Sequence, residues 1–167
     1  MFLSLIIPTY MEAESLPFMI NRIRHALKGC NYEIIVVDDN SPDCTWKIAR
    51  ELGLNVIVRS RKMGLGSAFI EGLKYVKGEF VGLIDADLQH PAELLPKMLQ
   101  KVGEGTDLVV ASRYVGGAKI KNLPIARKLI SKMAIALAHL LLPRTAVVKD
   151  PLSGFFIVRK NRIAQLN

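Results

Sequence analysis

Short apolar runs without polar alternation, each followed by a stretch with helical spacing, constrain this chain more than any other feature. Such runs occupy Leu3 to Pro8, Glu33 to Val37, Asn55 to Arg59, Phe80 to Ile84 and Asp107 to Ala111. Strands that are apolar on both faces belong in a mainly parallel sheet with helices on either side. The segments between them supply the helices. Glu12 to Lys28 places Leu16, Met19, Ile20, Ile23 and Leu27 on one side, and Thr45 to Leu52 follows the second strand. Gly64-Leu65-Gly66 opens a helix to about Lys77, and Pro91 begins another that reaches about Val102. Residues 1–112 therefore predict a doubly wound α/β core within a single domain of 167 residues.

The remaining residues, 113–167, read as a basic part of the same domain that faces an acceptor or a membrane. The net charge of +8 is concentrated there. Residues 1–107 hold 12 Lys/Arg against 14 Asp/Glu, whereas residues 108–167 hold 11 basic groups against the single acid Asp150. Such asymmetry points to an anionic partner: phosphate, nucleic acid or an acidic lipid surface. Between Leu123 and Leu142 the residues Ile125, Leu129, Met133, Ala136, Leu137, Leu140 and Leu141 follow helical spacing. Arg127, Lys128, Ser131, Lys132 and His139 cluster largely away from that stripe. Two readings fit this amphipathic basic helix: it lies in a membrane interface, or its apolar side packs on the sheet.

Several function classes fit poorly. Strand one is followed by Pro8-Thr9-Tyr10 rather than the glycine fingerprint of a dinucleotide fold, and neither a P-loop nor a Ser nucleophile elbow occurs. Nucleic-acid binding is not expected, because the basic part has only Tyr114 as an interleaved aromatic. Cys30 and Cys44 have neither the number nor the spacing for a zinc site or a disulfide framework. No signal peptide is read at the N-terminus, and the run Met133 to Pro143 is too short to span a bilayer. Peripheral association with the cytoplasmic face of a membrane is the location expected.

Chemistry is expected where parallel strands end. Strand four runs into Asp85-Ala86-Asp87-Leu88-Gln89-His90-Pro91. In extended chain residues i and i+2 point the same way, so Asp85 and Asp87 can converge. Two carboxylates that close need a cation or a proton between them, and Mg²⁺ or Mn²⁺ bridging a phosphate-bearing substrate suits hard oxygen ligands. An Asp-rich turn capping the helix near Pro91 would use the same residues. Strand one ends in Tyr10, which offers a flat face and a hydroxyl, and Glu12, which can accept hydrogen bonds from a base or ribose. Strand two ends in Asp38-Asp39, of which one is expected to contact a nucleotide and the other to cap the next helix. Strand three is followed by Arg59, Arg61, Lys62 and the Gly-Leu-Gly turn, a combination suited to a diphosphate.

Taken in order, Pro8-Thr9-Tyr10-x-Glu12, Val37-Asp38-Asp39-x-Ser41, Gly64-Leu65-Gly66 and Asp85-x-Asp87 resemble the inverting glycosyltransferases of family two, with the GT-A fold. Asp85 to Pro91, Ser112-Arg113-Tyr114 with Gly116-Gly117, and Asp150 to Phe155 sharpen the likeness. They are similar to the branch that moves mannose from GDP-mannose to a polyprenyl (dolichyl) phosphate. The resemblance covers about residues 3–160. It implies that Asp85, Asp87 and Gln89 hold the metal, and that Pro8, Tyr10, Glu12, Val37, Asp39, Lys62, Asp85, Ala86 and Asp87 bind the nucleotide sugar. It implies further that Arg113, Arg127 and Ser131 bind the acceptor phosphate, with Asp87, Arg113 and Arg127 carrying catalysis. A UDP-glucose-dependent polyprenyl-phosphate glucosyltransferase and a non-catalytic nucleotide- and membrane-binding module are the alternatives. Met11 stands where the family usually has Asn. Relatives are expected to continue for several dozen residues past the position of Asn167, so the chain is expected to be a shortened form.

Overall fold

The computed structural model describes residues 1–112 and 153–163. Four strands run parallel: β1 (Phe2–Thr9), β2 (Asn31–Asp38), β3 (Asn55–Val58) and β4 (Phe80–Leu83). Leu3, Leu5, Ile6 and Ile7 are all inaccessible to solvent, as are Val36 and Val37, so the central strands are covered on both faces. Continuous apolar runs become strands here because neither face meets water.

Helices α1 (Ser15–Ala26) and α4 (Leu95–Gly103) bury the same pattern of positions. Leu16, Met19, Ile20 and Ile23 form the buried stripe of α1, and Leu95, Met98, Leu99 and Val102 that of α4. This is the i, i+3, i+4, i+7 spacing of one helix face. Helix α2 (Thr45–Glu51) links β2 to β3. Helix α3 (Leu65–Leu73) packs on β1 and β2, where Gly72 leaves no room for a side chain against Ile6. α3 stops four residues short of the Lys77 end expected from spacing, because Gly72 and the turn at Lys74–Tyr75 close it. The helix expected from Pro91 begins as a 3₁₀ turn, Ala92–Leu94, and becomes α-helical at Leu95.

β5 (Leu108–Val110) falls within the expected segment. The sheet then takes a strand that apolar spacing did not single out, β6 (Phe156–Arg159), antiparallel to β4. The order is β3-β2-β1-β4-β6-β5. A short helical turn, Lys160–Ile163, follows β6. The sheet and its helices form one compact unit of residues 1–109 together with the segment from Gly154; Val110–Ser153 forms a second unit. Within that second unit the Ser153 hydroxyl donates to the Ala111 carbonyl at 2.9 Å. The amphipathic segment Leu123 to Leu142 lies outside the described residues. Among the described residues no helix is long and apolar enough to cross a membrane.

Candidate active site

The chain runs outward from β1 to β2 to β3, then returns to the other side of β1 with β4. That reversal puts a topological switch point between β1 and β4, the place where open α/β sheets bind ligands. Tyr10 follows β1 on one side of it and Asp85 follows β4 on the other. The ladder reaches that level, since Ile84 N–H donates to the Ile6 carbonyl at 3.2 Å.

Asp85 and Asp87 lie just past β4 with Ala86 between them. Ala86 is buried at 1% exposure between a half-buried Asp85 and an exposed Asp87, and the chain bends over Ala86 to Leu88 instead of staying extended. One Asp87 oxygen accepts the Gln89 N–H at 3.0 Å, and Leu88 between them has φ of 62°. A Leu in left-handed backbone is strained, and such strain gathers where a loop must aim its side chains. Asp85 meets His90, whose Nε2 lies 3.4 Å from Oδ2. The capping alternative is not what the turn does, because the 3₁₀ turn after Pro91 has no side-chain cap. Among the described residues no cluster of three or more His, Cys, Asp or Glu side chains is gathered as for a metal. Mg²⁺-type sites commonly use one or two carboxylates and complete their shell with water and substrate phosphates. Two carboxylates and the Gln89 amide fit that donor class.

Across the switch point, Lys62 and Tyr10 come together, with the ammonium 3.9 Å from the ring centroid. Pro8 is half-buried at the end of β1 beside its register partner Val37. The Val37 side chain is turned wholly into the core cluster with Ile6 and Ile35, so only its backbone can face a ligand. Glu12 is taken up locally: its carboxylate accepts the Ser15 hydroxyl at the start of α1, and its N–H donates to Thr45 Oγ1 at 2.9 Å.

The acid pair at the end of β2 does not supply the helix cap expected of one member. Asp38 is fully buried and accepts the Thr9 hydroxyl at 2.7 Å, the Ser41 hydroxyl at 2.6 Å and the Ser41 N–H at 2.8 Å. Asp39, also buried, pairs with Arg59 and accepts the N–H groups of Met63 and Gly64 at 2.9 and 3.1 Å. An internal carboxylate thus takes the two turn N–H groups that a diphosphate was expected to use, and the favourable charge at the start of α3 is supplied by the protein. Neither acid caps α2. Asp43 instead holds the first residue of α2, accepting the Thr45 hydroxyl at 2.6 Å and the Thr45 N–H at 3.1 Å, while its other oxygen takes Ala13 N–H at 3.1 Å. Burial alone would raise the Asp43 pKa, but these hydrogen bonds together outweigh it and hold the carboxyl below its ordinary value.

The loop that carries Asp85 to His90 is braced from α1. Arg22 grips Glu93 with two hydrogen bonds of 2.9 and 2.7 Å, and the bond from Arg22 lowers the Glu93 pKa. His90, Gly154 and Phe155 were not singled out by residue chemistry, and Arg59, expected beside a diphosphate, pairs with Asp39. The motif Asp150 to Phe155 marked Gly154 and Phe155 without indicating a role. Arg113, Arg127 and Ser131 lie outside the described residues.

The mainly parallel six-stranded sheet with helices on it defines the class: an α/β protein with a GT-A-like fold. The same fold is found in mannosyl-3-phosphoglycerate synthase from Rubrobacter xylanophilus, with a TM-score of 0.75 at 26% identity over 96% of this chain and 54% of that one. Glucosyl-3-phosphoglycerate synthase from Mycobacterium tuberculosis, solved with Mn²⁺, uridine-diphosphate and glucosyl-3-phosphoglycerate, gives a TM-score of 0.74 at 26% identity over 96% and 57%.

Residues 4–161 match glycosyl transferase family 2, and the chain belongs to that family. It is 49% identical to a dolichol-phosphate mannosyltransferase of Pyrococcus furiosus over 96% of its own length and 47% of that protein's. To the polyprenol monophosphomannose synthase of Mycolicibacterium smegmatis it is 40% identical over 97% and 63%. The chain therefore spans only part of the length of the relatives it matches, between 47% and 63% for these two.

Proposed function

We propose that the chain is the donor-binding part of an inverting mannosyltransferase that takes GDP-mannose and passes mannose to a polyprenyl (dolichyl) phosphate. The observation that carries this is the acid pair Asp85 and Asp87 just past the end of β4, at a switch point whose other strand, β1, leads into Tyr10 with Lys62 against its ring. The two relatives named above support mannose and a polyprenyl phosphate over other sugars and acceptors.

In this reading Tyr10 presents its ring to the nucleoside and Lys62 moves from that ring to the donor phosphates. Asp85, Asp87 and Gln89 hold Mg²⁺ or Mn²⁺, which when bound would offset charge on the departing nucleoside diphosphate. Glucosyl-3-phosphoglycerate synthase solved with Mn²⁺ and uridine-diphosphate supports a divalent cation in this fold. Asp39 acts on the nucleoside pocket through Arg59 and the Met63–Gly64 turn. Arg113, Arg127 and Ser131 receive the acceptor phosphate, and Arg is suited to its bidentate geometry. An acceptor phosphate oxygen is already anionic, so it attacks the anomeric carbon without a strong general base, and the glycosidic bond to the diphosphate breaks on the opposite face. Catalysis then rests on alignment and on charge. The basic segment Leu123 to Leu142 is assigned to the cytoplasmic membrane face, which salt-sensitive co-sedimentation with anionic vesicles would test.

Calorimetry with GDP, GDP-mannose and UDP-glucose, in Mn²⁺ and in EDTA, tests the donor reading. GDP is expected to bind more tightly with Mn²⁺, and Asp87→Asn to remove most of that gain. Equal GDP affinity in both media would overturn the metal assignment. Preference for UDP-glucose would move the chain to the glucosyl reading.

A further inference from the structure

The antiparallel register of β4 and β6 pairs Phe80 with Arg159, Val81 with Val158, Gly82 with Ile157 and Leu83 with Phe156. Continued by two residues, that register sets Asp85 opposite Gly154. The two residues do lie against each other. A Cβ added to Gly154 would stand 2.5 Å from Asp85 Oδ2, 3.2 Å from Cγ and 3.3 Å from Oδ1. The carboxylate is therefore laid against a bare backbone. Gly154 is not among the glycines with positive φ, so its backbone conformation would accept an L side chain. What excludes a side chain is the carboxylate itself.

The same oxygen is approached from another side. His90 Nε2 lies 3.4 Å from Asp85 Oδ2, and the His90 side chain is only 12% exposed. Its ring packs on Phe155 with centroids 5.5 Å apart at 58°, and Phe155 is fully buried. His90 is thus held from behind by the residue next to Gly154.

We propose that Gly154, His90 and Phe155 form a bracket of positioning residues that fixes the Asp85 carboxylate as a cation ligand. The proposal rests on the reading above that Asp85 helps to hold the donor's cation. A ligand oxygen must be held to within about 0.5 Å to be useful, and its neighbours set that precision. A methyl group at position 154 would turn the carboxylate aside. Because the displaced atoms end a short flexible side chain, the fold should persist while the ligand is misplaced.

The test is GDP binding by calorimetry in EDTA and in Mn²⁺, with thermal midpoints, for Gly154→Ala, His90→Ala and His90→Gln. Gly154→Ala is expected to melt near the wild-type temperature and to bind GDP normally in EDTA. Its Mn²⁺-dependent gain should fall about tenfold or more, as for other losses of support to a metal ligand. His90→Ala should lose part of the gain, and His90→Gln, with an amide to face Oδ2, should recover it. A folded Gly154→Ala with the full Mn²⁺ gain overturns the bracket while leaving the donor reading intact. A wild-type chain with no Mn²⁺ gain overturns both. Should Gly154→Ala not fold, the double variant Asp85→Ala/Gly154→Ala must fold, since the clashing group is gone; a double variant that stays unfolded overturns the bracket.

Discussion

Arg59, at the end of β3, forms a buried ion pair with Asp39 at the end of β2, the two side chains only 7% and 6% exposed. Arg59 also donates to the Ser67 hydroxyl at 2.7 Å and to the Gly64 carbonyl at 3.0 Å. With Asp39 holding the Met63 and Gly64 N–H groups, one buried pair fixes both ends of the loop that presents Lys62. Breaking such a pair from one side leaves an uncompensated buried charge, which costs about 3–5 kcal/mol. Arg59→Ala and Asp39→Ala should each lower the unfolding free energy by about that much in urea titrations. Arg59→Lys should recover little, because a single ammonium cannot reproduce the guanidinium fork. A loss of less than about 1 kcal/mol for both alanine variants would mean that the pair contributes as a surface bridge does.

Met11 is exposed and has φ of 61°, with its N–H donating to Ser41 Oγ at 3.1 Å. Left-handed backbone costs an ordinary L residue roughly 1–2 kcal/mol, and Asn tolerates it better than most. The Asn usual in the family at this position therefore has a backbone reason. Met11→Asn should raise stability by about 1 kcal/mol and Met11→Ile should lower it. The urea midpoint at unchanged slope is the readout, and a destabilised Asn variant would refute the account.

Asp43 joins the start of α2 to the segment before α1, and its hydrogen bonds hold its pKa below the ordinary carboxylate value. A lowered folded pKa means stability that is complete above the unfolded value of about 3.9 and lost as pH falls through the folded one. Stability measured from about pH 6 down to pH 3 should fall less steeply in Asp43→Asn than in wild type. Glu93 is shifted in the same direction by Arg22 and Glu104 by Lys101, so wild type and variant alike retain those solvent-screened shares. Identical pH slopes would remove Asp43 from the account.

Arg113 and Arg127, assigned to the acceptor phosphate, make a separate prediction. Arg113→Ala and Arg127→Ala should each weaken polyprenyl-phosphate binding while sparing GDP. A charge-assisted hydrogen bond contributes about 1.5–3 kcal/mol, so the loss should be roughly tenfold or more. Variants that lose GDP affinity but keep acceptor binding would show the roles to be reversed.

The parallel core was legible because strands buried on both faces leave continuous apolar runs, as in Leu3 to Ile7 and Ile34 to Val37. The helices α1 and α4 were legible from stripes such as Leu16, Met19, Ile20 and Ile23. β6 was not, since four residues, Phe156–Arg159, carry too short a pattern and pair with a strand more than seventy positions earlier. The acidic pair after β4 stood out by spacing, whereas the employment of Asp39 did not. Whether a carboxylate at a strand end faces a ligand or an internal arginine depends on the path of another loop, and local sequence does not encode that path. The opposition of Gly154 and Asp85 likewise follows from register, a property of two strands rather than of either alone.

The position of β6 has a consequence for how the molecule comes into being. Synthesis delivers β4 and both acids of the pair long before Phe156–Arg159 exists. During that interval one side of β4 is an unpaired edge, open to any other extended chain. The nascent polypeptide thus holds both acids early and gains the strand beside them only later, and the arrival of that one short strand shields the edge and lays Gly154 against Asp85 in the same event.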